Sequence, residues 1–508
     1  MASPAMAGAA TFFGRDIFLR FMSRRGLYAL IGITAVGAVV RFATLGVQSY
    51  DHDEAVTAAR ILHPSLFTTM SEVADSERSP PLYYLLAWLW SRPFGTGEVG
   101  LRSLSALLGT LTIPLAYLAA AELSRRKMVA LLAAAFVALN PYLVLYSQEA
   151  RSYALMVLFA TAALYYFARS LKDPSPRALA MWAVASALSV CSHYFAFFLV
   201  LPQAVWLVAR RTGRRRAAVA VGGVIVAGLA LIPLAIAQEG SGRRNGFTDI
   251  PLISRVGELC LNFVAGQEPS PFAGSRAVDA LQLVALIGGA ALAALAIGLV
   301  VQRGERQDRH AATVAGVVGG GAIAVPLCLA VVGTDFINPR NLIGALVPIL
   351  ILVAIGFGMP RSGRVGIACG GALCAMFAVV LAATNLSAQM QRPDWRGAAD
   401  AIEASASGAR AFVVPRNGDD PVAYYLGAEV VHHGGPTAVR TDVIPVVSTN
   451  FKVRRPPGPF HLADEQGLAP YFVLWRYEAK HPVRVRLRDL KGDRVLSERS
   501  AVLFRAGQ

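Results

Sequence analysis

Residues 26–54, GLYALIGITAVGAVVRFATLGVQSYDHDE, place an apolar segment directly before an acidic one. The apolar part, roughly Gly26 to Val47, is long enough to cross the hydrocarbon core of a bilayer as a helix. Three carboxylates, Asp51, Asp53 and Glu54, then follow within four residues. Charged groups beside a membrane span are costly unless water or a function stabilises them. This stretch therefore predicts a membrane protein with a functional site just outside its first span.

The whole chain has the composition of a membrane protein. Of its 508 residues, 55% are hydrophobic and only 16% are charged, and the mean hydropathy is +0.50. We predict a polytopic α-helical membrane domain of residues 1–390, followed by a small α/β domain of residues 391–508, where polar residues return. About eleven transmembrane helices are expected, at residues 27–47, 98–121, 128–146, 150–169, 178–192, 194–209, 217–237, 278–301, 311–332, 341–359 and 364–384.

The positions of arginine and lysine predict how the chain crosses the membrane. Clusters such as Arg125-Arg126-Lys127 and Arg214-Arg215-Arg216 fall in alternate short loops, and such clusters mark the cytoplasmic side. The N-terminus is then cytoplasmic, and an odd number of spans puts the C-terminal domain in the periplasm of a bacterial inner membrane. The net charge of +16 is explained by this orientation and by anionic lipid. Arginines scattered over short loops do not indicate a nucleic-acid partner.

Two long outer loops are expected to surround the site. Residues 48–97 contain two apolar pieces, 61–70 and 81–90, which are too short to cross a bilayer. We expect both to be helices at the interface, with Tyr83 among the aromatic side chains at headgroup depth. The loop of residues 238–278 could order over a substrate or could simply be solvated.

The acidic stretch after the first span has a structural and a catalytic interpretation. Asp51 and Glu54 have the spacing of a capping box, in which the two residues bond each other's backbone at the start of a helix. Capping by these two residues does not exclude catalysis by Asp53. Asp-x-Asp pairs also hold metals in nucleotide-sugar transferases, but a pair that faces outward would not meet nucleotide sugars.

A second constellation, Ser147-Gln148-Glu149-Ala150-Arg151-Ser152-Tyr153, lies at an outer turn between two predicted spans. Ser147 could be the N-cap of the next helix, and Glu149 would be favoured by the helix dipole. Arg151 would oppose that dipole in the first turn, so an anionic partner is expected for it. Glu149, Asp53 or a bound phosphate could be that partner.

Other polar residues lie at span ends. Arg340 stands at the outer start of a predicted span, where a guanidinium could hold a lipid phosphate; ordinary headgroup binding is an equally open interpretation. His193, at the outer junction of two spans, is a candidate substrate contact, although an interfacial aromatic belt explains its tyrosine and phenylalanine neighbours. Arg41 and Arg102 lie within spans or at their ends and could snorkel to the surface.

Several familiar signatures are absent from the sequence. It has no Walker loop, no dinucleotide-binding fingerprint, no His-Glu-x-x-His and no Cys-x-x-Cys, which argues against ATP-driven transport and zinc hydrolysis. A secondary transporter or lipid flippase is an alternative, although transporters usually place their functional charges near the bilayer midplane. A catalytically inactive sensor is a further alternative, for which Asp53 and Glu149 would be dispensable.

The order of motifs in the membrane domain resembles that of a known family. The first motif is Tyr50-Asp51-His52-Asp53-Glu54, called the acidic loop below. The others are Pro80-Pro81-Leu82-Tyr83-Tyr84, the stretch from Tyr146 to Leu155, His193-Tyr194-Phe195 and Pro339-Arg340-Asn341-Leu342-Ile343. The chain resembles the bacterial members of the protein O-mannosyltransferase and aminoarabinose-transferase superfamily, which are GT-C glycosyltransferases similar to glycosyltransferase family 39. The resemblance covers the membrane domain and is weak after it, apart from Arg392-Pro393-Asp394-Trp395-Arg396.

The resemblance implies a reaction. The donor would be a polyprenyl-phosphate sugar, and the acceptor would be a hydroxyl of a glycan, of a lipid such as lipid A, or of a protein. Asp53 would be the catalytic base of an inverting transfer, and Glu149 the second acidic residue of the site. We expect neighbouring carboxylates to raise the pKa of such a base. No cofactor is required, and Glu149 would orient the acceptor, tune Asp53 or help to hold a divalent cation.

The resemblance also bears on binding residues. The candidate substrate-binding residues are Glu54, Tyr83, Gln148, Arg151 and His193. Relatives often carry Lys or His before the Pro-Pro pair, where this chain has Ser79 after Arg78. Either Arg78 or Arg340 would therefore hold the lipid phosphate, and no metal ligand is assigned.

Overall fold

The long apolar runs of the sequence form long helices in the computed structural model. The structure describes residues 23–239, 250–266, 276–403, 409–415, 417–427, 437–443, 453–468, 472–490, 494–496 and 500–505. The first helices are α1 (Arg24–Phe42), α2 (His52–Val56), α3 (Leu66–Ser76), α4 (Leu82–Phe94), α5 (Glu98–Ser124), α6 (Lys127–Leu139), α7 (Pro141–Ser147), α8 (Tyr153–Lys172), α9 (Pro176–Ser192), α10 (Ala196–Ala209) and α11 (Arg214–Glu239). Next come α12 (Leu252–Ala265), α13 (Arg276–Arg303), α14 (Arg306–Val331), α15 (Leu346–Gly358) and α16 (Gly363–Leu386), with 3₁₀ turns at Pro339–Ala345 and Pro360–Ser362.

Within the described residues, eight helical segments are long and apolar enough to cross a membrane. A ninth is added if α6 and α7, which meet at a bend of 57°, are counted as one span. All eleven predicted segments contain helix, and the prediction of a polytopic helical membrane domain is confirmed. The predicted number of spans is too high by this criterion, because α9 has 17 residues and α10 has only 14.

The bend between α6 and α7 follows from Asn140 and Pro141. Pro141 has no N–H with which to continue the helix. The Asn140 side chain accepts the N–H groups of Tyr142 and Leu143, at 3.1 and 3.0 Å. Arg41 of α1 donates to the carbonyls of Val137 and Ala138 at the end of α6, at 2.9 and 2.8 Å, where helical partners are lacking. Arg41 is fully buried, so the expectation that it snorkels is wrong.

The two apolar pieces of residues 48–97 are helical, as predicted, with bounds shifted to those of α3 and α4. Tyr83 is fully buried, however, in a cluster that includes Leu104 and Leu108 of α5. Tyr83 is therefore shielded from lipid headgroups, because α4 packs one face against α5, and its depth in the membrane stays a prediction. Within residues 238–278 the structure describes α12, and the predictions for residues 240–249 and 267–275 lie outside the described residues.

A small mixed sheet follows the last span, which confirms the predicted C-terminal α/β domain. Its elements are α17 (Trp395–Glu403), β1 (Arg410–Pro415), α18 (Asp419–Leu426), β2 (Thr437–Val443), β3 (His461–Leu468), β4 (Phe472–Arg484), α19 (Leu487–Leu490) and β5 (Ser500–Arg505). The strand order is β3-β4-β2-β1-β5, with β1 and β2 parallel and the other neighbours antiparallel. Trp395 of α17 and Val422 of α18 pack with Phe412 and Leu474 of the sheet.

This soluble domain lies directly against the acidic loop. Ser49 accepts the backbone N–H of Trp395 at 3.0 Å. The Tyr425 hydroxyl of α18 accepts the N–H of Tyr50 at 2.7 Å and donates to Glu98 at 2.6 Å. The acidic loop is therefore held between the membrane domain and the soluble domain.

Candidate active site

The acidic loop begins with a helix start that fixes its carboxylates. Asp51 and Glu54 form the predicted capping box of α2, with the Asp51 N–H donating to Glu54 at 3.4 Å. The structural interpretation of these two residues is thus confirmed. Asp53 and Glu54 nevertheless have different surroundings, because the Glu54 side chain is 0% exposed and that of Asp53 is 32% exposed.

Glu54 joins four segments of the chain. Its oxygens accept from Arg102 of α5 at 2.8 and 2.6 Å, from Arg392 at 2.9 Å and from the Ala150 N–H at 2.8 Å. Burial raises the pKa of Glu54, but the charges and hydrogen bonds of Arg102 and Arg392 outweigh burial, so the pKa lies below its usual value. Arg102 is buried rather than snorkelling. This bonding fits a structural role for Glu54 better than the predicted substrate contact.

The turn that carries Glu149 is fixed against α1. Ser147 is the last residue of α7 rather than the N-cap of α8, so its predicted capping role is wrong. The Gln148 amide nitrogen donates to the carbonyls of Val40 and Arg41 at 3.2 and 3.0 Å. The predicted contact of Gln148 with a substrate would therefore have to use its amide oxygen.

Glu149 itself is buried and pairs with Arg392. Burial raises the pKa of Glu149, Arg392 opposes this, and the negative charges of Glu54 and Asp53 raise it further, so the pKa lies above its usual value. The expectation that close carboxylates raise one another's pKa is confirmed for Glu149.

Asp53 forms an ion pair that solvent can reach. Arg340 donates through Nη1 to Oδ2 of Asp53 at 2.9 Å, and its side chain is 41% exposed. Burial raises the pKa of Asp53, but the charges of Arg151 and Arg340 outweigh burial and hold the pKa well below its usual range. The expectation of a raised pKa for Asp53 is therefore wrong, because cations dominate its surroundings. Asp53 is ionised at neutral pH.

Arg340 is placed by the segment that leads to it. Pro339 is the first residue of the 3₁₀ turn, and the Asn338 side chain accepts the Arg340 N–H at 3.2 Å. Upstream, Arg255 of α12 donates to Asp335 and, at 2.9 Å, to the carbonyl of Ile337. The backbone that carries the Arg340 side chain is thus held in place by hydrogen bonds at Arg340 itself and at Ile337.

Arg151 has an anionic partner, but not one of those predicted. It donates to both oxygens of Glu77, at 3.0 and 2.9 Å, and to the Thr57 hydroxyl at 3.3 Å. It also lies before the helical turn in which it was expected, because α8 begins at Tyr153. Arg78, the other candidate for the lipid phosphate, directly follows Glu77 in the chain.

His193 is the C-cap residue that follows α9, and it lies beside Tyr153, with their ring centroids 5.2 Å apart. Burial and then the charges of Arg151 and Arg340 lower the pKa of His193 to about 3. The ring is therefore neutral at physiological pH, and its Nδ1 accepts the N–H of Phe195 at 3.3 Å. The contact of His193 with a substrate stays a prediction.

Two apolar spaces lie along α10 and α14. A cavity lined by Asn341, Phe195, Leu199 and Ala322 lies between the 3₁₀ turn, α10 and α14. A wider groove of about 520 Å³ lies further along the same two helices, and its lining includes Pro202, Trp206, Arg210, Gly321 and Val325. The groove is wide enough for a hydrocarbon chain, whereas the cavity beside Asn341 holds only about 10 Å³.

The described residues contain one group of side chains suited to a metal ion, and Glu149 is not part of it. His52, Asp419 and Asp420 each place a ligand atom within 4.8 Å of the others. The His52 Nδ1 is 3.3 Å from Asp420, where α2 meets α18. This proximity is explained by a contact between the two domains, and the divalent cation stays a prediction.

Three residues that build the site, Glu77, Arg102 and Arg392, were not predicted from the sequence to be part of it. Arg102 offered a signal, because a charge inside a span usually has a partner there. Arg392 stands in the motif at 392–396, to which no role was assigned. Glu77 is one of several acids in a polar stretch and offered no distinct signal.

Comparison with known proteins agrees with this architecture. Residues 78–237 match the family model described as dolichyl-phosphate-mannose-protein mannosyltransferase, which covers well under half of the chain. No curated protein sequence matches the chain significantly.

Two solved structures of ArnT from Cupriavidus metallidurans have the same fold. The structure bound to undecaprenyl phosphate matches with a TM-score of 0.53 and 13% identity, over 89% of this chain and 98% of that one. The apo structure gives 0.54 and 13%, over 88% and 97%. The chain thus has a GT-C glycosyltransferase fold like that of ArnT, and its predicted resemblance to the protein O-mannosyltransferase and aminoarabinose-transferase superfamily is confirmed.

Proposed function

We propose that the protein transfers a sugar from a polyprenyl-phosphate donor to an acceptor hydroxyl at the outer face of a bacterial inner membrane. The observation that carries the proposal is the accessible pair of Asp53 and Arg340, a candidate base and a candidate phosphate ligand 2.9 Å apart. The acceptor would belong to lipid A or lipopolysaccharide, to another envelope glycan or to a protein.

The surroundings of Arg340 support a donor carried by lipid. A guanidinium suits a phosphate, and the apolar groove along α10 and α14 suits a prenyl chain. With a cytoplasmic N-terminus, the site would face away from the supply of nucleotide sugars. A family named for a dolichyl-phosphate sugar and an ArnT structure with undecaprenyl phosphate support the same class of donor.

In the proposed reaction, Asp53 takes the proton of the acceptor hydroxyl as its oxygen attacks the anomeric carbon. The new bond forms on the face opposite the phosphate, so the configuration inverts. The bond from the anomeric carbon to the phosphate oxygen breaks, and its electron pair leaves with polyprenyl phosphate. Arg340 stabilises that charge, and phosphate leaves readily enough to need no separate acid.

The contact between Asp53 and Arg340 suggests how the donor could activate the base. A carboxylate with a depressed pKa is ionised at neutral pH but accepts a proton weakly. A donor phosphate would compete with Asp53 for Arg340. Transfer of Arg340 to the phosphate would remove a cation from Asp53 and raise its pKa, so the base would become stronger when the donor is in place.

Mass spectrometry of envelope lipids and glycans, from cells with and without this chain, tests the proposal. We expect a species heavier by one sugar residue that is present only with the chain. Purified protein in proteoliposomes should also convert a lipid-linked sugar into polyprenyl phosphate and a glycoside. Movement of a solute or lipid across the vesicle membrane without a glycosidic product would contradict the proposal and favour the transporter or flippase.

A further inference from the structure

Arg392 reaches the candidate site from the segment that joins the last span to the soluble domain. Its side chain is only 8% exposed. Its Nη1 donates to Glu54 at 2.9 Å, and its Nη2 donates to Glu149. One guanidinium therefore bridges carboxylates from two separate parts of the membrane domain, α2 and the turn after α7.

The two carboxylates depend on Arg392 to different degrees. Glu54 also pairs with Arg102. Among the ion pairs of the described residues, by contrast, the partner of Glu149 is Arg392. A buried carboxylate without a counter-charge tends to take up a proton or to move. Glu149 should therefore lose both its charge and its orientation if the guanidinium is removed.

Docking of the soluble domain controls where Arg392 lies. The Arg392 N–H donates to the Gln48 side chain at 3.1 Å, and the Trp395 N–H donates to Ser49 at 3.0 Å. Arg396 pairs with Glu98 at 3.2 Å. The first contact is made by Arg392 itself and the other two by residues three and four positions after it, so docking of this segment fixes where the guanidinium lies.

We infer that Arg392 is a positioning residue for sugar transfer, which holds Glu149 in place beside Asp53 and makes activity depend on the docked soluble domain. This inference rests on the proposed function. Arg392 acts through Glu149 and does not itself touch the reacting atoms. The site is therefore incomplete in the membrane domain alone, although that domain carries both candidate catalytic acids.

The kinetic test compares Arg392→Gln and Arg392→Lys with Arg396→Gln in the full chain, in proteoliposomes with a lipid-linked sugar. Arg396→Gln is the matched control, because it removes a cation of the same segment without touching Glu54 or Glu149. The contacts of Trp395 with Ser49 and of Tyr425 with Tyr50 remain and keep the soluble domain docked. Arg392→Gln should lower kcat on the order of 100-fold, as expected for a misplaced group, with little change in KM for the donor. Arg392→Lys should recover part of the loss, and Arg396→Gln should stay close to wild type.

The pH dependence of kcat distinguishes a role of Arg392 in orienting Glu149 from a role in docking alone. The charged and titratable groups that face Glu149 are Arg392, Glu54, Asp53, Asp51, Arg340, Tyr146, Tyr153 and Tyr83. Removal of the cation at Arg392 should move the acidic limb of the pH profile of kcat to higher pH, since Glu149 would then need a higher pH to ionise. An unchanged profile in Arg392→Gln, or an equal loss of activity in Arg396→Gln, would overturn the inference.

A second measurement does not depend on activity. Thermal unfolding in detergent should show that Arg392→Gln lowers Tm, and that adding Glu149→Gln restores part of the loss, because the uncompensated carboxylate is gone. Additive effects of the two substitutions would overturn the role of Arg392. If the wild type transfers no sugar but this coupling is present, the proposed function fails while the positioning of Glu149 stands.

Discussion

Glu54→Gln should lower the free energy of unfolding by more than a substitution that breaks an exposed ion pair. The substitution keeps the shape of the side chain but removes the charge shared by Arg102 and Arg392. Both guanidinium groups are nearly enclosed, with side chains 3% and 8% exposed. Breaking a buried ion pair by removing one partner costs about 3–5 kcal/mol, and here one carboxylate serves two cations.

The assay is chemical unfolding in mixed micelles, with Arg361→Gln as the control. Arg361 pairs with Glu305 at 3.6 Å, and both side chains are well exposed, so the loss of this pair should cost about 0–1 kcal/mol. Glu54→Gln should therefore exceed the control by at least about 2 kcal/mol in the free energy of unfolding. Equal destabilisation by the two substitutions would refute the view that Glu54 holds four segments together.

Three further substitutions test other parts of the site. The pKa of His193 is about 3 in the folded protein and about 6.5 in an unfolded chain. As the pH drops below about 6.5, the unfolded state therefore binds the proton first and the folded protein loses stability. At pH 5 the loss in the free energy of unfolding is about 2 kcal/mol. The Tm of His193→Gln should therefore fall less between pH 7 and pH 5 than that of the wild type, and parallel curves would contradict the buried neutral ring. Arg340→Gln should lower kcat/KM for the lipid-linked donor on the order of 100-fold, with partial recovery in Arg340→Lys; kinetics like those of the wild type would exclude Arg340 as the phosphate ligand. Tyr425→Phe leaves the N–H of Tyr50 without its hydroxyl partner, which should weaken docking by about 1–3 kcal/mol and increase hydrogen exchange in α18; unchanged exchange would argue that other contacts hold the domains together.

The membrane architecture could be read from the sequence because it depends on long apolar runs, and each predicted segment contains helix. The number of spans was harder to predict, since short helices such as α9 and α10 have the same composition as spans. The break between α6 and α7 depends on the neighbouring residues Asn140 and Pro141 and is therefore predictable from local sequence. Its stabilisation by Arg41 is not. Arg41 lies about a hundred residues earlier in the chain, and its interior partners depend on how the helices pack.

The candidate site was predictable in its acids and less so in its cations. Asp53 and Glu149 stand beside span ends in recognisable motifs, and the structure brings both near Arg340 or Arg392. The pairings themselves join residues far apart in sequence, as with Glu54 and Arg392. The pKa of Asp53 was predicted with the wrong sign for the same reason, because Arg151 and Arg340 approach it only in the folded chain.

The account depends most on Asp53 as the base that takes the acceptor proton. The most direct test measures single-turnover sugar transfer in proteoliposomes by Asp53→Asn and by Asp51→Asn. The control substitution Asp51→Asn removes a charge two residues away from Asp53, and it preserves the cap of α2 because asparagine is as good an N-cap as aspartate. We expect transfer by Asp53→Asn to fall on the order of 100-fold or more while Asp51→Asn stays near the wild-type rate. Transfer by Asp53→Asn at the wild-type rate would contradict the account.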